Sequence, residues 1–105
     1  MSNKNLTSSV TFDLALKNHK SNNLQVAKDY YNLTLDMNPN HTGSLNNLGA
    51  ILKKLGENQK AKKCYEKAIE IDPNYAHAHN NLGIIFKELG EREKAKKCYE
   101  KAIKI

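Results

Sequence analysis

From Leu45 onward, apolar residues return with a helical beat. Leu45, Leu48, Ile51, Leu52 and Leu55 share one stripe, spaced as one face of a 3.6-residue turn requires. After a short polar break the rhythm resumes at Ala61, Cys64, Tyr65, Ala68, Ile69 and Ile71. The unit from Thr42 to Tyr75 is therefore predicted to be two amphipathic helices. In the break "LGEN", Gly56 suits the left-handed position that closes a helix, and Asn58 is the expected cap of the next. The second helix is expected to stop at "DPN", because the residue before Pro73 is pushed out of the helical region and Asn74 is available as a cap.

The same pattern is written more than once. Asn46 to Ile71 returns thirty-four residues later as Asn80 to Ile105, with 20 of 26 positions identical. A fainter copy precedes both: Leu14, Ala15, Ala27, Tyr31, Leu35 and Pro39 stand thirty-four residues before Leu48, Gly49, Ala61, Tyr65, Ile69 and Pro73. Asn22 takes the glycine slot, and Asn18 and Thr34 are polar substitutes for Leu52 and Ala68. Small residues at fixed places (Gly49, Gly83, Ala61, Ala95, Ala68, Ala102) let helix backbones approach, with Tyr65, Tyr99, Leu52 and Phe86 filling the space alongside. Self-similarity at this period marks a stacked repeat array.

The motif "NLG…LG…KAKKCYEKAIEIDPN" resembles that of the tetratricopeptide repeat (TPR) family, over residues 8 to 105. It lacks that family's tryptophan, with Thr11, Leu45 and His79 in the slot. The resemblance implies an all-α solenoid: three helix-turn-helix repeats, six antiparallel helices, in a short right-handed superhelix. The organisation expected is a lead-in over 1–7, a degenerate repeat over 8–41, a second over 42–75 and a third over 76–105. It also implies first helices lining a concave groove that holds extended peptides, acidic ones among them, or a partner helix, and no catalysis by the repeats themselves. Two other roles stay open: a self-assembling scaffold, and the targeting arm of a larger enzyme such as a glycosyl- or sulfo-transferase.

On the family pattern the groove residues are Phe12 and Lys20 in the first repeat, and Asn46, Asn47, Lys53 and Lys54 in the second. His77, Asn80, Asn81 and Lys87 are their counterparts in the third. Asn47 and Asn81 are the sharpest candidates, because an amide both donates to and accepts from a peptide backbone whatever its side chains. Such asparagines resemble the ladder of TPR superhelices attached to O-linked sugar transferases, although Asp13 interrupts it in the first repeat. The lysines would attract acidic groups. The match to the carboxylate-clamp TPRs of chaperone cofactors is poor: Asn47 fits, but Phe12, Leu16 and His77 stand where Lys, Arg or Asn would mostly be expected.

Charge adds one refinement. Of the formal +6, residues 1–41 carry four lysines against three acids, and 42–105 carry thirteen basic residues against eight acids. Lysines interleaved with glutamates read as solvated helix faces, and the repeat tyrosines sit in core register, which disfavours nucleic acid as a partner. Cys64 and Cys98 occupy equivalent slots on helices expected about 8–10 Å apart, too far for a disulfide. His77 and His79 lie about 200° apart around a helix and are read as surface residues. No phosphate loop, metal set, cofactor motif or catalytic carboxylate pair is apparent. With no apolar run of about 18 residues, a soluble cytoplasmic protein with no membrane partner is expected. The last second helix should expose Tyr99, Ala102, Ile103 and Ile105, a face for a continuing chain or for homo-oligomer formation.

Overall fold

The computed structural model describes residues 6–105, so Met1 to Asn5 of the expected lead-in lie outside the described residues. Six helices follow in order: α1 (Ser8–Lys20), α2 (Leu24–Met37), α3 (Thr42–Lys54), α4 (Asn58–Ile71), α5 (Ala76–Glu88) and α6 (Arg92–Lys104). No strand occurs among the described residues. Each helix packs on its successor, most closely within α1/α2, α3/α4 and α5/α6, and α3 also touches α5. The result is a three-repeat solenoid measuring 51 × 25 × 19 Å. None of its helices is long and apolar enough to cross a membrane.

The turn within each repeat is the same device three times over. Asn22, Gly56 and Gly90, thirty-four residues apart, all have positive φ (62°, 83° and 79°). In the second repeat the Glu57 amide reaches back to the Leu52 carbonyl and the Gly56 amide to the Lys53 carbonyl, and the other two turns repeat both bonds. This pairing satisfies carbonyls that a helix end leaves free.

Helix starts differ from expectation. The N-caps are Glu57 and Tyr75, with Asn58 and Asn74 displaced by one residue to either side. Asn58 opens α4, while the Asn74 amide bonds the Asp72 carboxylate in a turn. The equivalent turn before α3 places His41 at the cap, and its Nδ1 accepts from the Ser44 amide at 3.1 Å.

The core runs along the pairs. Tyr31 and Tyr65 are completely enclosed, each beside a small residue on the preceding helix, Ala15 or Gly49. The degenerate first repeat keeps its packing by a polar route. Thr11 and Thr34 fill slots held by Leu45 and Ala68 one repeat later, and their hydroxyls hydrogen-bond at 2.8 Å with no solvent exposure. Each hydroxyl also faces a helix carbonyl, of Ser8 or Tyr30, so a buried polar pair is fully matched. Asn18 likewise ties its amide to the Leu14 carbonyl. His79 is a correction: it is buried, and its Nε2–H donates to the Pro73 carbonyl at 2.8 Å, so it pins the turn between repeats.

Candidate peptide-binding groove

Two side-chain pairs join α3 to α5, each between residues thirty-five apart. Asn81 Nδ2 donates to Asn46 Oδ1 at 3.0 Å, and Lys53 Nζ lies 2.9 Å from Glu88 Oε1. At the preceding junction His19 sits close enough to Lys54 for that ammonium to hold its imidazole below the ordinary range, adding to the larger effect of burial. Lys54 in turn donates to Asn22 Oδ1 at 3.3 Å. Partners across the junctions thus lie at several separations, which the repeat period alone does not announce.

Around the α1–α3 junction, Phe12 lies against His41, ring centroids 4.5 Å apart, over a backbone kept low by Gly43. The Tyr31 hydroxyl bonds His19 Nδ1 at 2.8 Å. Burial pushes that phenol up, and the Asn47 amide pulls weakly the other way. Asn47 is half-buried, whereas Lys20 and Lys54 are exposed. His19 is expected on the family pattern to face the partner, whereas Tyr31, a core residue by register, is not; their bond ties α1 to α2 within the first repeat.

The candidates divide into three groups. Phe12, Asn47, Lys20 and Lys54 stand on the first-helix side at α1 and α3, and Lys53 and Asn81 at the α3–α5 junction. Asn46 is corrected: only 8% exposed, with its carbonyl oxygen taken by Asn81, it is a support under the groove and not a contact surface. His77, Asn80 and Lys87 are all exposed, and they rim hollows built with α6 residues. Tyr99 and Ala102 are half-buried at that end, and Ile103 and Ile105 are 84% and 49% exposed.

The cysteines are both free thiols, half-buried, and burial raises their pKa. Among the described residues no group of three or more His, Cys, Asp or Glu is arranged to hold a metal ion.

The tetratricopeptide repeat profile matches residues 42–105. A crystal structure of MamA superposes with a TM-score of 0.88 at 26% identity, over 93% of this chain and 57% of its own. The Sgt2 TPR domain from Aspergillus fumigatus gives 0.85 at 27% identity, over 92% and 64%. The first TPR of Spaghetti (RPAP3), bound to the HSP90 peptide SRMEEVD, shares the fold with a TM-score of 0.89 at 22% identity, over 93% and 78%. The chain thus spans little more than half of the MamA chain. No curated protein matches it. With the profile covering more than half of its residues, the chain belongs to the tetratricopeptide repeat family.

Proposed function

We propose that this chain is a noncatalytic protein-interaction module that holds an extended peptide along its first-helix face. The observation that carries the reading is Asn81. Its amide is half-buried and oriented by the bond to Asn46, which leaves one N–H and its carbonyl oxygen for a ligand backbone. Asn47 offers the same chemistry one repeat earlier, beside the Tyr31 hydroxyl. A pre-oriented amide loses little freedom on binding, so its hydrogen bonds are worth more than those of a free side chain.

Charge favours acidic ligands. Lys20 and Lys54 are exposed on this side, while Lys53 is tied to Glu88 and contributes less. The Spaghetti domain, which shares the fold, is bound to a peptide of acidic character, SRMEEVD. The poor match of Phe12, Leu16 and His77 to a carboxylate clamp argues against that particular peptide here.

The test is an amide NMR titration with a pool of acidic twelve-residue peptides, the same pool with serine for each acid, and SRMEEVD as a third arm. The reading expects shifts around Asn47, Lys54 and Asn81 with the acidic pool, weakened by salt. Shifts confined to α2, α4 and α6, or none with any arm, would overturn it.

A further inference from the structure

We propose that His19 and Lys54 form a binding site for one carboxylate of a ligand, and that His19 takes up a proton from solvent as the carboxylate binds. The site deepens the groove reading and rests on it for the identity of the ligand, an acidic peptide.

The junction between α3 and α5 shows what this pair of positions does when it is complete. There Lys53 Nζ lies 2.9 Å from Glu88 Oε1. One repeat earlier His19 holds the position of Lys53, and Lys54 that of Glu88, again thirty-five residues apart. A cation thus stands where the inner junction has its acid. The carboxylates that form ion pairs among the described residues, Glu57, Glu88 and Glu91, are held by other lysines. The first junction is one negative charge short.

The surroundings ready both groups. His19 Nδ1 is 2.8 Å from the Tyr31 hydroxyl, and the two rings meet edge to face with centroids 5.7 Å apart, which fixes the imidazole plane. Nε2 is the nitrogen left for a ligand. A hydroxyl both donates and accepts, so the Tyr31 bond survives when Nδ1 turns from acceptor to donor. Lys54 Nζ is steadied by Asn22 Oδ1 at 3.3 Å and keeps two N–H groups. His19 is half-buried and Lys54 exposed, which leaves both within reach of a ligand.

The groups facing the imidazole are Tyr31 from α2 and Lys54 from α3, with Lys20 next to it on α1. His19 is the one of them whose ordinary range lies between pH 5 and 8. Burial, and then the Lys54 ammonium, hold it below that range in the free protein. A bound carboxylate opposes both effects and favours the imidazolium. Binding should therefore strengthen as the pH falls through the His19 range, while Asp and Glu, with ordinary values of about 3.9 and 4.3, stay ionised.

The test follows the His19 ring by two-dimensional NMR and peptide affinity by fluorescence anisotropy, both on the whole chain. Sodium acetate, compared with sodium chloride at equal ionic strength, should raise the His19 pKa, and this arm needs no peptide. A labelled pool of acidic twelve-residue peptides with amidated C-termini should bind about tenfold more tightly at pH 5.5 than at pH 7.5, the factor that one unit of pKa change carries. A gain confined to the same pool with free C-termini would assign the site to a terminal carboxylate. His19→Gln, whose amide can still meet the Tyr31 hydroxyl, should bind with little pH dependence. Lys54→Glu rebuilds within the chain the pairing of Lys53 with Glu88, so it should raise the His19 pKa without ligand and abolish the acetate effect. A pool that binds while the His19 pKa stays unmoved would overturn the site and leave the groove reading standing. An acetate response with no peptide binding would do the reverse. A pH dependence retained in His19→Gln, or acetate and chloride acting alike, would also overturn the site.

Discussion

The ring of Tyr65 lies across Gly49 so closely that a Cβ there would stand 2.6 Å from its Cε1. At 1% exposure the ring has nowhere to go. The equivalent pair, Gly83 and Tyr99, would meet at 2.8 Å, but Tyr99 is half-exposed and can yield. Overpacking a core costs about 1–3 kcal/mol, whereas alanine gains about 1 kcal/mol over glycine inside a helix. Gly49→Ala is therefore expected to destabilise in urea unfolding, and Gly83→Ala to cost at least about 1 kcal/mol less. Equal losses would mean that the end tyrosine is as firmly held as the inner one.

Ser44 is fully enclosed and its hydroxyl has no hydrogen-bond partner. Its counterpart one repeat later is Ala78, also enclosed. Ser44→Ala removes an unmatched polar atom and improves helix propensity, so a gain of about 1 kcal/mol is expected in denaturant titration. A loss would show that the hydroxyl is bonded in solution.

The Thr11–Thr34 pair should behave as a unit. Thr11→Val alone, or Thr34→Ala alone, removes a matched partner from a site without solvent, while the double change restores the apolar contact found at Leu45 and Ala68. A double-mutant cycle is expected to give about 0.5–1.5 kcal/mol of coupling, the double mutant losing less than the sum of the singles. Strict additivity would refute it.

His19 gives the first junction a pH dependence of definite sign. Its folded pKa is lowered from 6.5, first by burial and then by Lys54, so the unfolded chain takes up the proton more readily. Stability from this residue is complete above about pH 6.5 and is lost as the pH falls below that value. The melting temperature of wild type should drop more between pH 7.5 and 5.5 than that of His19→Gln, whose amide can still meet the Tyr31 hydroxyl. Parallel curves would remove His19 as the cause.

Six helices were legible because a stripe of apolar residues, a small-residue slot and a left-handed turn recur together. The degenerate copy was found by the same spacing, and Asn22 at φ 62° shows why asparagine serves in the glycine slot. Less of the groove could be read. Which residues of two first helices touch depends on how far one helix slides along the next, and a repeat length does not encode a slide. Asn46 and Asn47 are chemically alike, yet one lies beneath the next repeat and the other does not. His79 was misplaced for a related reason: its partner is a backbone carbonyl six residues away, which carries no side-chain signature.

Packing that is mostly between chain neighbours, with α3 and α5 the exception, has a mechanical consequence. A pull applied to the two ends loads the helix pairs in series, and among the described residues no strand shares the force, only side-chain ties such as Asn81–Asn46 and Lys53–Glu88. The array should give way pair by pair, with each event releasing a similar length of chain. The weakest link is the pair whose tyrosine, Tyr99, remains half-open to water. Unravelling should therefore begin at α5/α6 and run back toward α1.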